Sequence, residues 1–346
     1  MAGMQNQVYD IDDAWNNFLE DGNINNTVEE NISENIRDDN IPKGNDIYIS
    51  TKTKIAYLSN KIELSDVFWK IKVNDYHIPK EGVIKKQMKF NFIDEVSVIE
   101  IEKNLVGVSN VDQLIITQII NPAGRIKFKD IRKVSIGLSN KDITSYRSKK
   151  KSAFYNCFVL ILRVLEKDVF KEIHVKVFNT GKLEIPGIRC DKLLKKVLDL
   201  LVKIINPLID DDLSYDMTNC ETVLINSNFN CGFYINRDKL LDILKYKYHI
   251  DCIFDACQYP GIQCKYDYKD ENGKNYRISF MIFRTGSILI VGKCDEDILN
   301  IIYNYIKNLL IQEYHLINIK STDPVKDVNK KKKLKKKVIY IDNNEI

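Results

Sequence analysis

Apolar positions in the C-terminal two thirds of the chain follow two different periods, and the same succession of periods occurs twice. Around Leu193, and again around Ile298, apolar residues recur at spacings of three and four, which predicts a long helix with one buried face. Before each helix the apolar residues alternate with polar ones, which predicts strands. Each copy therefore predicts a strand, a hairpin, a second strand, a glycine turn, a third strand and a long helix.

The two copies align at a constant offset of 105 positions. Val177–Gly187 and Ile282–Gly292 both read apolar-Phe-x-Thr-Gly-x5-Gly. Six pairs of helix positions are aliphatic in both copies: Leu193 and Ile298, Leu194 and Leu299, Val197 and Ile302, Leu201 and Ile306, Ile204 and Leu309, Ile205 and Leu310. An internal repeat of this length predicts that one structural unit is built twice.

Each copy also begins with a strand and a short helix. The first copy has them at Ile49–Tyr57 and Ile62–Trp69, and the second at Thr222–Tyr234 and Arg237–Leu244. The offset between these segments is about 176, so the first copy is expected to carry roughly 70 additional residues. The insertion, at about 76–150, contains two strand-like segments and two basic stretches: Val96–Ile101, Leu114–Ile120, Lys127–Lys133 and Arg147–Lys151.

Charge separates two tails from the repeats, which are predicted at 46–215 and 216–317. Residues 1–45 carry ten acidic and two basic residues and show no period, which predicts a disordered acidic tail. Such a tail is either simply solvated, or docks a partner or competes with nucleic acid for the basic body. Residues 318–346 include seven lysines between Lys330 and Lys337, which predicts a second disordered tail. Phosphate contact, nuclear import and plain solvation are its three interpretations.

Several classes of protein are excluded by what the sequence lacks. No run approaches the roughly 18 apolar residues of a membrane span, and residues 1–10 do not resemble a secretory signal, so we expect a soluble intracellular protein. The eight cysteines form no CxxC pair, and Cys252 and Cys257 are expected to face opposite ways on one strand, so no metal site is expected. No phosphate-binding glycine loop, GxSxG or metal triad occurs. We expect no catalysis, cofactor or small-molecule substrate.

The repeated motif resembles a known family. The Phe-x-x-Gly-x5-Gly turn before a long helix resembles the core of the TATA-box-binding proteins, and Gln258–Gly261 resembles the Phe-Pro-Gly element of that family's second repeat. The resemblance covers about 48–75 and 150–315 and is closest to the divergent members in large DNA viruses of eukaryotes. It implies an α+β fold: a two-repeat saddle whose curved antiparallel sheet carries helices on its convex face and leaves its concave face for a partner.

The resemblance also implies a function. Members of the family are general transcription initiation factors that bind and bend AT-rich double-stranded promoter DNA through the minor groove. They recruit further initiation factors and RNA polymerase. The sequence is therefore expected to act in a nucleus or in a cytoplasmic viral replication site, and it is a candidate virion component.

Ten residues are the candidate contacts with DNA. The positions at which the family inserts apolar wedges between base pairs correspond to Phe154, Phe178, Tyr259 and Phe283, where a wedge is expected to present an exposed ring and a core residue is the alternative. Asn226 or Asn228 is the candidate for the floor of the groove, together with Leu289 and Val291. Lys182 and Arg284 are the candidates for phosphate contacts, with an ordinary surface role as the alternative.

Two positions depart from the family pattern. Glu184 and Pro186 occupy groove-facing positions, where a carboxylate is repelled by phosphates and a proline removes a strand donor. The Ser50–Lys52 region, which aligns with Asn226–Asn228 at the offset of about 176, offers no asparagine. A second function therefore remains open, that of a saddle-shaped protein-binding scaffold in a transcription complex that has lost its ability to bind DNA.

Overall fold

The computed structural model describes residues 42–144, 156–210 and 212–319. The strands in these ranges are β1 (Tyr48–Tyr57), β2 (Gly82–Phe92), β3 (Val111–Ile120), β4 (Phe128–Gly137), β5 (Cys157–Glu166), β6 (Val169–Phe178), β7 (Lys182–Ile188), β8 (Glu221–Asn230), β9 (Asp251–Ile253), β10 (Gly261–Lys269), β11 (Asn275–Phe283) and β12 (Ser287–Gly292). The helices are α1 (Leu64–Lys70), α2 (Glu95–Leu105), α3 (Asn140–Thr144), α4 (Asp191–Ile205), α5 (Arg237–Asp242), α6 (Glu296–Gln312) and α7 (Tyr314–Ile317). Both predicted tails lie outside the described residues except at their inner ends, 42–45 and 318–319. There Asn45 N–H donates to the Asn230 carbonyl, and Asn318 forms a β-bridge with Ile235.

The described residues divide into two compact units. Among the described residues, the first unit lies within Thr51–Thr222, and the second contains 42–50 together with 223–319. Strands of the first unit follow the order β3-β4-β2-β5-β6-β7-β1, and those of the second follow β8-β12-β11-β10-β9. The strand pairs within each unit are antiparallel. The predicted α+β class, with an antiparallel sheet and packed helices, is confirmed in both units.

The first unit is stabilised by helices packed on one face of its sheet. The side chains of Leu194, Val197 and Leu201 on α4 and of Phe68 on α1 lie in one buried cluster with alternate residues of β5, β6 and β7. Lys86 also points to this side, where its ammonium group donates to the carbonyl oxygens of Phe68 and Ile71 at 2.6 and 2.7 Å. Burial lowers the pKa of Lys86 to about 8. This lysine satisfies carbonyl groups that the end of α1 leaves without helical partners.

The second unit repeats this arrangement with α6 in the place of α4. Leu299, Ile302, Ile306 and Leu310 of α6 are buried, as the repeated aliphatic stripe predicted. They pack with alternate residues of β8, β11 and β12 in a cluster of their own. The helices α4 and α6 begin 105 residues apart, so the repeat predicted from the sequence extends to their first residues.

Matching hydrogen bonds at the start of each copy correct the alignment there. Leu58 N–H donates to the Gly181 carbonyl at 2.9 Å, and Cys231 N–H donates to the Gly286 carbonyl at 2.9 Å. The donors are 173 positions apart, as are the first residues of α1 and α5, whereas the sequence alignment gave about 176. The sequence could not fix this offset because the two first strands share too few residues.

The insertion contains one strand that both copies have. β2 pairs antiparallel with β5, just as β9 pairs with β10 in the second unit. The segment Leu114–Ile120 is a strand within β3, as predicted. The prediction of a strand at Val96–Ile101 is wrong, because these residues lie in α2. The Asp94 carboxylate accepts the Ser97 N–H at 2.7 Å and caps this helix, whose Val98, Ile101 and Leu105 are buried at helical spacing.

Candidate nucleic-acid interface

In the second unit, the face of the sheet that is turned away from α6 carries four of the predicted contact residues. We call the face turned away from the helices the distal face in each unit. Ile225 and Phe229 of β8 belong to the helical core, so the alternating Asn226 and Asn228 lie on the distal face. Asn228 is paired with Leu289 of β12, and Asn226 with Val291. Strand register therefore places the two asparagines beside the two predicted aliphatic contacts.

An apolar cluster separate from the helical core lies on this distal face. It consists of Leu224, Met281, Leu289 and Val291, whose side chains are 4, 6, 7 and 1% exposed. The rings of Tyr259 and Phe283 pack against it and are partly buried. We call these six residues the distal cluster. The structure thus brings both predicted aromatic positions of the second repeat over the predicted groove-floor residues.

The two rings depend on a glycine for their position. The ring centroids of Tyr259 and Phe283 are 5.9 Å apart with the planes tilted by 59°. Gly261 is paired with Phe283 in the β10–β11 register. A Cβ atom at Gly261 would lie 3.1 Å from Phe283 Cε1 and 3.2 Å from Tyr259 Cε1. The Pro-Gly sequence after Tyr259 therefore leaves room for both rings, a role that the motif alone did not indicate.

The loop that carries Tyr259 is held by backbone and cationic contacts. Tyr259 N–H donates to the Asp255 carbonyl at 2.9 Å. The guanidinium group of Arg237, at the start of α5, donates to the Pro260 carbonyl and lies 4.7 Å from the centroid of the Phe254 ring. Sequence reasoning missed Arg237, since its role depends on α5 lying against the loop. These contacts fix the loop from both ends.

The hydroxyl group of Tyr259 is buried without a hydrogen bond. Its oxygen has no hydrogen-bond partner among the described residues. Burial raises the pKa of the Tyr259 phenol, which is therefore neutral at physiological pH. A buried hydroxyl that makes no hydrogen bond costs stability, so packing alone does not explain a tyrosine here.

The polar candidates of the second unit differ in environment. Asn228 Nδ2 donates to Ser50 Oγ at 2.8 Å, and Asn226 is buried in β8. Arg284 lies in the turn before Gly286 and is exposed. The amide groups therefore lie next to the distal cluster, while the guanidinium group lies at its end, where the Thr-Gly turn joins β11 to β12.

In the first unit the corresponding face is more polar. Phe178 is 8% exposed, which corrects the expectation that a wedge ring stands exposed there. Its ring lies at the end of β6, where Phe178 is paired with Cys157, and the Lys182 ammonium lies 5.9 Å from the ring centroid. Glu184, the register partner of Lys176, forms an ion pair with it at 2.7 Å. The carboxylate that departs from the family pattern is thus neutralised within the sheet.

The wedge candidate Phe154 lies outside the described residues. The strand register nevertheless bears on its assignment. Cys157 is paired with Phe178, whereas Gly261 is paired with Phe283, so Cys157 and Gly261 are equivalent positions. The offset between the two copies is therefore 104 at the start of these strands, rather than 105. The hairpin of the first copy is thus one residue shorter than the hairpin of the second copy. An alignment without gaps, at a constant offset of 105, could not show this difference.

The first unit offers no asparagine at the positions equivalent to Asn226 and Asn228. With the offset of 173, these positions are Thr53 and Ile55, both buried in β1. Ile55 is paired with Glu184, as Asn228 is with Leu289. The predicted lack of an asparagine therefore holds at the corrected positions, and the two copies carry different chemistry on equivalent strands.

Lysines extend along the distal face of the first unit into the insertion. Lys89 of β2 and Lys133 of β4 are register partners on this face, and Lys129 lies further along the same side of β4. Lys85 of β2 pairs with Asp142 at 2.7 Å. This part of the distal face therefore carries three lysines beside the ion pair of Lys85 with Asp142.

The described residues offer neither a membrane-spanning helix nor a metal-binding cluster. No helix in these ranges is both long and apolar enough to cross a membrane. No group of three or more histidine, cysteine or acidic residues there could hold a metal ion.

Comparison with known proteins agrees with the resemblance. A mimivirus protein (from Acanthamoeba polyphaga mimivirus) named "TATA-box-binding protein-like" is 26% identical over 205 residues, which are 52% of this chain and 55% of that protein. The sequence resembles the TATA-box-binding proteins. The chain spans about half the length of this curated relative. No family model matches the chain.

A solved structure described as Methanococcus jannaschii TBP is also similar. It is 13% identical, with a TM-score of 0.38, and the match covers 78% of this chain and 99% of that one. The architecture of this chain rests on the strand orders, registers and repeated hydrogen bonds described above. The resemblance to the TATA-box-binding proteins, which the repeated turn indicated, is confirmed by the sequence similarity to the mimivirus protein.

Proposed function

We propose that the chain is a general transcription initiation factor that binds and bends AT-rich promoter DNA through the minor groove and recruits further initiation factors and RNA polymerase. In this proposal it has no catalytic activity and acts in a nucleus or a cytoplasmic viral replication site. The distal face of the second unit is the proposed DNA contact, and the distal face of the first unit contributes mainly positive charge.

The distal cluster carries the proposal. A protein that kinks DNA from the minor groove inserts apolar side chains between base pairs. Tyr259 and Phe283 provide two such rings over an aliphatic surface, with the amides of Asn226 and Asn228 beside it. The minor groove presents acceptors at A·T pairs and an additional donor at G·C pairs, so amide donors on an apolar floor favour A·T.

Insertion requires the two rings to leave the distal cluster. In the structure they lie over it, 5.9 Å apart, and shield the aliphatic side chains. On DNA the two rings would enter the base stack. Their departure would expose Leu289 and Val291, which would then contact the floor of the minor groove. Flexible steps such as TA are the least costly to unstack, which adds to the preference for AT-rich sites.

Positive charge supports affinity rather than sequence preference. Lys182 and Arg284 lie at opposite ends of equivalent turns, and Lys129 and Lys133 lie on the distal face of the first unit. Contacts from lysine and arginine to phosphates release counterions, so binding through them weakens as salt rises. The same contacts carry no sequence information.

A protein-binding scaffold is the second candidate. It is favoured by the burial of Phe178 and by the ion pair of Glu184 with Lys176, since both make the first unit's distal face less suited to a groove. In that case the distal faces would hold polypeptide, and DNA would bind only through non-specific charge.

Fluorescence anisotropy with the full chain separates the two. Labelled AT-rich and GC-rich duplexes of equal length are titrated at several salt concentrations. The proposal predicts tighter binding to the AT-rich duplex at every salt concentration, with affinity falling linearly on a log–log plot. Equal affinities for the two duplexes would favour the scaffold.

A further inference from the structure

Two buried cysteines face each other across the last strand pair of the second unit. Cys252 of β9 and Cys264 of β10 are register partners. Their Sγ atoms are 3.2 Å apart, and the side chains are 3 and 2% exposed. Directly opposed residues of an antiparallel pair have Cα atoms about 4.5–5.5 Å apart, which is within the range of about 4.4–6.8 Å that disulfides require. The expectation that Cys252 and Cys257 share a strand is wrong, because β9 ends at Ile253 and Cys257 lies in the following loop.

The chain between the two cysteines is the loop that presents Tyr259. It leaves β9 after Ile253, turns at Asp255 and returns to β10 at Gly261. A covalent link between Cys252 and Cys264 would join the two ends of this loop. It would limit how far Tyr259 can move from the distal cluster.

We propose that Cys252 and Cys264 form a reversible disulfide that closes the Tyr259 loop. The oxidant is a small-molecule disulfide of the glutathione type. The effect of this bond on Tyr259 rests on the proposed function, whereas the formation of the bond does not.

The reaction proceeds by two thiol–disulfide exchanges. The Cys252 thiolate attacks one sulfur of the small disulfide, forms a mixed disulfide and releases one small thiolate. The Cys264 thiolate then attacks the Cys252 sulfur, forms the protein disulfide and releases the second small thiolate. Two protein thiols are oxidised and one small disulfide is reduced to two thiols, which take up the two protons that the protein loses.

Strand length explains how a buried pair can be reached. β9 has three residues and, among the described strands, pairs only with β10. A short strand at the end of the strand order opens locally at little cost, and opening brings Cys252 to solvent. Burial raises the pKa of Cys264, so its thiolate is scarce and the second exchange becomes faster as pH rises.

The test begins with the reduced full chain treated with oxidised glutathione. Intact mass should fall by two hydrogen atoms per molecule, and a non-reducing peptide map should link Cys252 to Cys264. Cys252→Ser and Cys264→Ser should each abolish this link, whereas Cys257→Ser, an exposed cysteine in the same loop, should leave it unchanged. The oxidised wild type should unfold several degrees higher than the reduced form.

Three outcomes overturn the proposal: both thiols remain reduced, the map links Cys257 instead, or a glutathione adduct persists on Cys252. DNA binding is measured separately on the oxidised and reduced chains, and oxidation should lower affinity for the AT-rich duplex because the Tyr259 ring is restrained. If the disulfide forms but affinity is unchanged, the role of the bond in restraining Tyr259 is refuted. If the reduced chain binds no DNA at all, the proposed function fails, while mass and peptide map still decide whether the disulfide exists.

Discussion

Tyr259 and Phe283 are the two rings of the distal cluster, and Gly261 is the residue that leaves room for both of them. Tyr259 and Phe283 were predicted to act together, and the structure places their rings side by side. The contribution of Gly261 was not predictable, because it depends on two rings that approach the same backbone from different segments. Phe178 was predicted to be either an exposed wedge ring or a core ring, and it is buried; sequence spacing alone could not decide between these two positions.

The unpartnered hydroxyl of Tyr259 gives a prediction at this scale. Tyr259→Phe should leave the chain equally stable or stabilise it by up to about 1 kcal/mol, because it removes a buried hydroxyl without a hydrogen bond. Chemical denaturation measures the free energy of unfolding, with Tyr248→Phe as the control. The Tyr248 hydroxyl donates to the Glu313 carboxylate at 2.7 Å, so its loss should destabilise. A clear loss of stability in Tyr259→Phe would mean that the hydroxyl is bonded in solution.

At the scale of elements, the sequence was most informative where a pattern was long. The helices α4 and α6 carry the apolar spacing over four turns, and their first residues agree with the repeat. The short segment Val96–Ile101 was predicted wrongly because four of its six residues are valine or isoleucine, which suit a strand. The helix depends on the cap at Asp94 and on burial against the sheet. The Thr-Gly turns were predicted and are equivalent in backbone conformation, with φ of 83° at Gly181 and 77° at Gly286.

The repeated turn is expected to tolerate no side chain. A Cβ atom at Gly181 would lie 2.6 Å from the Asn60 carbonyl oxygen, at a positive φ. Gly107, in the same unit, has a φ of 77° but no heavy atom within 4 Å of a Cβ. Gly107→Ala should therefore cost about 1 kcal/mol from backbone strain alone, and Gly181→Ala should cost at least about 2 kcal/mol more. Equal losses in thermal or urea unfolding would show that the contact with Asn60 is not rigid.

The ion pair across β6 and β7 makes a prediction about charge. Glu184→Gln removes the carboxylate that pairs with Lys176 and one negative charge from the distal face, so affinity for duplex DNA should rise several-fold. The salt dependence should steepen by up to about 0.9 if Lys176 then binds one phosphate. Asp199→Asn is the matched control, since it removes the same charge from α4, where Asp199 pairs with Lys195. If both variants bind alike, net charge rather than the distal face is responsible.

At the scale of the whole molecule, the two units share an architecture but differ in chemistry. The second unit carries Asn226, Asn228, Leu289 and Val291 where the first carries Thr53, Ile55, Glu184 and Pro186. The repeat, its strands and its helices could be predicted from sequence because the periods recur. Which positions of the two first strands are equivalent could not be predicted. Between α1 and β5 the insertion leaves only β2 to align with the second copy, and β2 is recognised as equivalent to β9 only by its pairing with β5.

Deleting residues 329–346 tests the interpretation of the lysine tail, which lies outside the described residues. The deletion should weaken DNA binding without changing the preference for AT-rich duplex. Lysines that contact only phosphates make no contact with the bases and so do not distinguish one sequence from another. The salt dependence should flatten by up to about 0.9 for each phosphate that the tail neutralises in the full chain. An unchanged salt dependence would assign the tail to import or to a protein partner.

The central claim is that the distal cluster bends DNA, and bending is measured most directly by fluorescence energy transfer between the two ends of a labelled AT-rich duplex. The wild-type chain should bring the ends closer and raise the transfer efficiency. Phe283→Ala should bind more weakly and, at saturating protein, leave the duplex close to straight. Tyr246→Ala, which removes an exposed ring elsewhere in the second unit, should bend it like the wild type. Circular dichroism verifies that both variants are folded. A folded Phe283→Ala variant that bends DNA as much as the wild type, or a wild-type chain that binds without bending, would contradict the account.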